Sequence, residues 1–423
     1  MLQLNYIRDH RQEVIDRLAV KNFDGGLIIP SIVALDDKRR ETQKQLDDIQ
    51  AQSNLLAKEI GFLFKSGRSD EANVLKEKTG RLKDKAKELE VSFETIKKEL
   101  DDLLVRVPNL PHVSVPVGKT PEDNLIVFQE GKVITAAATD LPHWELTTKY
   151  DLIDFAAGNK ITGAGFPLYK GKGARLQRAL VNFFLDEAVK AGYQEVQPPY
   201  LVNAASAYAT GQLPDKDAQM YHVGLDDLYL IPTAEVPVTN IYRDTLLKTQ
   251  DLPIMNVAYS GCFRREAGSY GKDVRGLNRL HQFDKVEIVQ VTHPETSYNI
   301  LESMREYVSG LLRKLELPFR VVKLCGGDMS FTSALTYDME VWSPAQARWL
   351  EVSSISNFET FQSNRLKLRF KDETGKIQPA HTLNGSALAL PRIVAALLEN
   401  GQTPEGIRIP PALSAYTGFE MIR

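Results

Sequence analysis

GCFRREAGSYGKDVRGLNRLHQFDKVE, residues 261–287, gathers four arginines, two lysines and four carboxylates around a glycine-rich middle, in a 423-residue chain of formal net charge −3. A stretch like this is a nucleic-acid patch, a phosphate clamp or a solvated hairpin. Val257 to Glu266 reads as a strand, so Arg264 and Glu266 share one face and Arg265 points the other way. The returning run, Arg279 to Gln290, puts His281, Phe283, Lys285 and Glu287 on one face. Between them AGSYGKDVRG carries Lys272 and Arg275. An inner face with an arginine, two carboxylates and an aromatic ring suits a nucleotide: the ring stacks the base, the arginine holds a phosphate oxygen and a carboxylate accepts from an amino group. A plain hairpin with cross-strand ion pairs, each worth ~0.2–1 kcal/mol, fits these residues as well.

The rest of the chain narrows the choice. Hydrophobic residues make up 43% and charged ones 25%, a globular composition with length for two or three domains. The small net charge means that any polyanion site is local. Cys262 and Cys325 are far apart and lack CxxC or His-Cys spacing, which argues for a reducing compartment and against structural zinc. MLQLNYIRDHRQEV is charged from Arg8 onward with no apolar core, and no apolar run approaches the ~18 residues of a membrane span. The sequence therefore predicts a cytoplasmic protein with no membrane partner. It holds neither GxxxxGK[ST] nor a GxGxxG after a strand, so a bound ATP would use neither common phosphate loop.

Upstream lies the clearest periodicity. Ile32, Leu35, Arg39, Thr42, Leu46, Ile49, Ser53, Leu56, Ile60 and Leu63 follow steps of three and four. After KSGRSD the rhythm resumes at Ala72, Leu75, Thr79, Leu82, Ala86, Leu89, Phe93, Ile96, Leu100, Leu103 and Val107. Two such helices joined at Gly67 predict an antiparallel coiled coil over about 31–107, stopped by Pro108 and Pro111. Residues 65–87 carry eight basic against four acidic side chains, among them Lys76, Arg81, Lys83, Lys85 and Lys87. A basic tip suits a phosphate backbone, although charge runs on helices are usually solvated faces. From Val113 onward strands and helices alternate irregularly, which predicts an α+β domain on a largely antiparallel sheet flanked by helices. There ARLQRALVNFFLDEAVK (174–190) reads as a helix with an apolar stripe at Leu176, Leu180, Phe183 and Phe184, and EVQPPYLV as a strand.

FRRE (263–266) with HQFDKVE (281–287) resembles motif 2 of class II aminoacyl-tRNA synthetases. EVQPPYLVN (195–203), with Pro199, resembles their motif 1, and TLNGSALALPR (382–392) resembles motif 3. PTAEVPVTN (232–240), EVSSISNFETFQSNR (351–365) and the N-terminal hairpin narrow the resemblance to bacterial-type seryl-tRNA synthetases, over essentially the whole chain. The resemblance implies a tRNA-binding domain at 1–110, a catalytic domain at 111–423, a homodimer with Pro199 near its interface, and the ATP-dependent joining of serine to tRNA(Ser) held by the coiled-coil arm.

It also implies roles. Arg264 would hold the α-phosphate and the serine carboxylate, and Arg392 the γ-phosphate. Glu266, Leu280 and Phe283 would receive the adenine. Glu351, Val352, Ser353 and Ser354 would line the ATP site, with Glu351 and Ser354 as oxygen ligands to Mg²⁺. Thr233, Ala234, Glu235, Glu287, Asn384 and Ser386 would take serine, Glu287 reading the hydroxyl and Glu235 the ammonium. Pro391, Gly165 and Thr147 depart from the family, which usually has glycine, arginine and glycine there. Two other readings use the same residues: a non-catalytic RNA-binding paralogue, opposed by Arg264, Glu266, Glu351 and Arg392 standing together, and a carrier-protein aminoacyl ligase, opposed by the arm.

Overall fold

The computed structural model describes every residue except 136, 138, 139, 216, 217 and 267–274, so Lys272 lies outside the described residues. It divides into two compact units, Met1–Ala19 with Phe23–Pro108 and Val20–Asn22 with Asn109–Arg423. Among the described residues no helix is long and apolar enough to cross a membrane.

In the first unit, α1 (Ile28–Lys65) and α2 (Ser69–Leu104) form the expected hairpin. Every seam position read from the periodicity is buried or half-buried, while the charged positions between them are mostly exposed. The turn has a chemical cause. Gly67 takes φ +73°, and Arg68 N–H and Gly67 N–H donate to the carbonyls of Leu63 and Phe64, which satisfies acceptors the helix end leaves free. Helix α2 ends at Leu104, before the expected Val107. Its last turn tightens as Arg106 and Val107 N–H bond three residues back, ahead of Pro108.

The second unit is built on an eight-stranded sheet: β1 (Leu125–Glu130), β2 (Gln194–Glu195), β3 (Ile254–Phe263), β4 (Gln282–Thr292), β5 (Phe319–Lys323), β6 (Leu335–Ser343), β7 (Arg348–Asn357) and β8 (His381–Ala389), in the order β1-β5-β6-β7-β8-β4-β3-β2. All neighbours are antiparallel except β2 with β3. The expected α+β class holds.

One sheet face is apolar and packs into the main core with α3 (Gly171–Lys190), α4 (Ser297–Lys314) and α5 (Leu390–Asn400). The stripe Leu176, Leu180, Phe183 and Phe184 of α3 is buried as the sequence predicts, and Leu301, Met304, Val308 and Leu312 make the matching stripe of α4. The opposite face is polar, and the site is built there.

Three expected boundaries shift. EVQPPYLV is two short strands, Gln194–Glu195 and Leu201–Asn203, because Pro198 and Pro199 have no N–H to place in a ladder. The outgoing strand of the hairpin ends at Phe263; the Arg264 N–H still donates to the His281 carbonyl at 2.9 Å, and Glu266, with φ +48°, leaves the ladder. The returning strand begins at Gln282. His281 therefore turns off the shared face, its Nδ1 3.0 Å from the Arg264 carbonyl and its ring stacked on Phe166.

Candidate active site

The polar sheet face floors a cavity of about 980 Å³. Strand alternation explains its lining. Phe283, Lys285 and Glu287 come from β4, Thr336, Asp338 and Glu340 from β6, and Asn384 and Ser386 from β8. Strand β7 needs a further device. Glu351 and Ser354 are three residues apart and would face opposite sides of a regular strand. The pairing is Asp338–Ser354, Met339–Ser353, Glu340–Glu351, so Val352 is an extra residue. This bulge returns Glu351 to the face of Ser354, opposite Glu340 and Asp338.

Two arginines, Arg264 and Arg392, and the ring of Phe283 line one end. The Arg264 guanidinium lies 5.3 Å from the Phe283 ring centroid, and its Nε is 3.4 Å from the Pro232 carbonyl. Arg392, in the first turn of α5, donates from Nη1 to the Glu351 carbonyl at 2.7 Å and from Nε to the Asn278 carbonyl at 3.2 Å. Glu266 is ion-paired to Arg279 at 2.9 Å. Asp338 Oδ1 is buried and accepts no hydrogen bond. Burial first, and Glu351 second, raise its carboxyl well above the usual carboxylate range.

At the other end the groups are more deeply buried. Lys285 Nζ sits 2.6 Å from Glu287 Oε2 and donates to Thr233 Oγ1 at 2.9 Å. Ser386 Oγ donates to the same Glu287 oxygen at 3.2 Å. Glu235 Oε1 accepts from Gln362 Nε2 at 2.6 Å, and Gln362 in turn accepts from Thr382 Oγ1. Burial, then the charge of Glu287, push the Glu235 carboxyl up to about 7. Asn384 Nδ2 is buried with no acceptor. The cavity thus joins a cationic, aromatic end to a small end with two carboxylates, one lysine and the Asn384 amide, which faces Glu235.

Two family models match the chain: "Seryl-tRNA synthetase N-terminal domain" over residues 1–111 and "tRNA synthetase class II core domain (G, H, P, S and T)" over residues 221–401. A serine–tRNA ligase of Salinibacter ruber is 49% identical over 424 residues, covering 100% of this chain and 99% of the relative. This chain belongs to the seryl-tRNA synthetase family. Among solved members, a Pyrococcus horikoshii seryl-tRNA synthetase complexed with ATP superposes with TM-score 0.92 at 35% identity, covering 100% of this chain and 99% of that one. A Naegleria fowleri cytoplasmic serine–tRNA ligase in complex with AMP gives 0.89 at 26% identity, with the same coverage.

All the ATP and serine residues assigned from the seryl-tRNA synthetase resemblance line the one cavity except Ala234. The Ala234 side chain packs with Val238, Ala258 and Val289. Lys76, Arg81, Lys83, Lys85 and Lys87 are exposed on α2 in the other unit. The departures from the family have local reasons. Pro391 is the second residue of α5, where an N–H has no intrahelical acceptor, so it neither kinks the helix nor displaces Arg392 from the cavity. Gly165 has φ +84°, and a Cβ there would come within 2.4 Å of the His281 ring. Thr147 is buried and its hydroxyl bonds the Trp144 carbonyl at 3.0 Å.

Sequence reasoning left Lys285 and Asp338 outside the assigned site. Lys285 was within reach of it, two residues before Glu287 on an alternating strand. Asp338 was not, because strand pairing alone brings it to Ser354.

Proposed function

We propose that this chain is a serine–tRNA ligase that makes seryl-adenylate and pyrophosphate from serine and ATP, then transfers the seryl group to the 3′-terminal ribose of tRNA(Ser). The observation that carries this reading is the two-ended cavity, whose charges match a triphosphate at one end and an ammonium-bearing, hydroxyl-bearing amino acid at the other.

In the first step a serine carboxylate oxygen attacks the α-phosphorus and the bond to pyrophosphate breaks, with no enzyme nucleophile. Catalysis then rests on alignment and on cations facing the developing charge. Arg264 holds the α-phosphate and the serine carboxylate, the two groups that react, since a guanidinium can serve two oxyanions at once. Arg392 serves the γ-phosphate, Phe283 stacks the adenine, and Glu266 receives its amino group while Arg279 holds the carboxylate. Glu235 takes the ammonium and Glu287 the hydroxyl.

Glu351, Ser354 and the unsatisfied Oδ1 of Asp338 offer only oxygen donors, the set Mg²⁺ prefers, and no cluster of three or more His, Cys, Asp or Glu among the described residues encloses a cation by itself. A bound Mg²⁺ would offset charge on the phosphates, with waters and phosphate oxygens completing its shell. In the second step the ribose hydroxyl attacks the seryl carbonyl and AMP leaves. The basic residues of α2 grip the tRNA, residues 1–110 act as the tRNA-binding domain, and the working unit is a homodimer.

ATP–pyrophosphate exchange with serine, threonine, alanine, glycine and cysteine tests the reading. Serine-dependent exchange that Arg264→Ala abolishes is the expected result. No exchange with any amino acid from the folded protein would move the assignment to a non-catalytic paralogue.

A further inference from the structure

The amino-acid end of the cavity contains a cation that the assignment above does not use. Lys285 is buried, and its ammonium reaches two residues of the serine site at once, Glu287 and Thr233. Thr233 Oγ1 also accepts the backbone N–H of Glu235 at 3.2 Å, so the lysine shares its threonine with the main chain of Glu235 while its ion pair is with the Glu287 carboxylate alone. Burying a lysine is costly unless it is paired, and truncating one partner of a buried pair leaves the other charge uncompensated.

The geometry at Glu287 is one-sided. Lys285 Nζ and Ser386 Oγ both engage Oε2. Oε1 is left for the cavity. Glu235 has a different environment: amide groups of Gln362 and Asn384 face it, Lys285 acts on it only through its charge and not by a direct ion pair, and burial and the charge of Glu287 outweigh them. Two carboxylates in one small chamber could each bind an ammonium or read a hydroxyl, and something must sort them.

We propose that Lys285 is a specificity-determining positioning residue: by pinning and neutralising Oε2 of Glu287 it leaves Oε1 as the acceptor for the substrate hydroxyl and reserves Glu235 for the substrate ammonium. The proposal rests on the reading of this cavity as a serine site. Once Glu235 has given up its proton, the chamber with Lys285 and both carboxylates charged carries one net negative charge, which the incoming ammonium cancels. A hydroxyl-reading site of this kind rejects an analogue without the hydroxyl because the buried acceptor is left unpaired. Removing the lysine leaves both oxygens of Glu287 open to the substrate ammonium, which blurs the sorting.

The test is pyrophosphate exchange with serine and with alanine, at varied ATP, for wild type, Lys285→Met, Lys285→Arg and Glu287→Gln, each checked by thermal melting. For Lys285→Met the expected result is a serine KM at least tenfold higher, an ATP KM within about twofold of wild type, and a serine-over-alanine ratio of kcat/KM at least tenfold lower. Lys285→Arg keeps the charge and is expected to keep that ratio within about threefold of wild type. Adding Lys285→Met to Glu287→Gln is expected to lower the ratio no further. An unchanged ratio in Lys285→Met, or serine and ATP KM rising together, would reduce Lys285 to a structural ion pair. If Lys285→Met does not fold, a ratio in Lys285→Arg as low as that of Glu287→Gln would overturn the proposal just as well. Wild-type protein without serine-dependent exchange would instead sink the function reading itself.

Discussion

Glu235 holds a proton near neutrality because burial and the neighbouring Glu287 both disfavour its charge. An ammonium ligand needs the ionised form. Below about pH 7 the free site is protonated and serine binding must expel that proton, so the serine KM is expected to rise up to tenfold per pH unit below 7. Exchange assays from pH 5.5 to 8.5 would show it, with the ATP KM not following the same curve. Stability has the opposite sign. A carboxyl raised in the folded state stabilises the fold below its unfolded pKa, and the benefit is lost as pH rises through the folded value. Glu235→Gln is therefore expected to stabilise the ligand-free protein at pH 8 and not at pH 4, by up to roughly 3 kcal/mol, read as a higher melting temperature at pH 8 only, while abolishing serine binding. Glu287, Phe283 and Arg264 were legible in the sequence because motif spacing and strand alternation named them. Pairs such as Glu235–Gln362 and Lys285–Thr233 were not, since they join segments far apart in the chain.

At the scale of elements, α2 presents its basic residues in two stripes. At 3.6 residues per turn Lys76, Lys83 and Lys87 fall on one side of the apolar seam, and Arg81 and Lys85 on the other. Replacing the first three by alanine is expected to weaken tRNA binding and to flatten the slope of log affinity against log salt by about 2 if all three neutralise phosphates, with pyrophosphate exchange unchanged. A parallel fall in exchange would make the arm a folding element instead. A second device holds the return of the hairpin to the cavity. His143, fully buried, pairs through Nδ1 with Glu399 at 2.8 Å and accepts the Leu277 N–H at Nε2 at 2.9 Å, which ties the segment lining the ATP end to the last turn of α5. His143→Leu removes the acceptor, and the expected outcome is an ATP KM raised several-fold with the serine KM little changed, read in the same exchange assay. The heptads and the helical stripe of α3 were readable because burial repeats with the helix period. The Val352 bulge was not, because one extra residue in a ladder leaves no mark on the strand's own pattern.

For the whole molecule, the motif 1 resemblance leads to a dimer, and light scattering is expected to give about twice the 47.4 kDa chain mass. Tyr200 and Leu201, apolar and partly exposed beside Pro199, are the side chains to change. Leu201→Glu is expected to shift the protein toward monomer at micromolar concentration, while an unaltered mass would put the contact elsewhere. The sequence by itself determined the coiled-coil arm, the α+β class and the order of the three motifs, since each depends on local periodicity or on residues a few positions apart. Through the motif resemblance it also named residues that line the cavity, all of those assigned to ATP and serine except Ala234. Only the tertiary structure decided that Asp338 joins Glu351 and Ser354, that Pro391 sits harmlessly in a helix's first turn, and that Lys285 holds one oxygen of Glu287. Those facts arise from strand pairing and burial between segments far apart in the chain, and no local pattern encodes which buried charge will meet which.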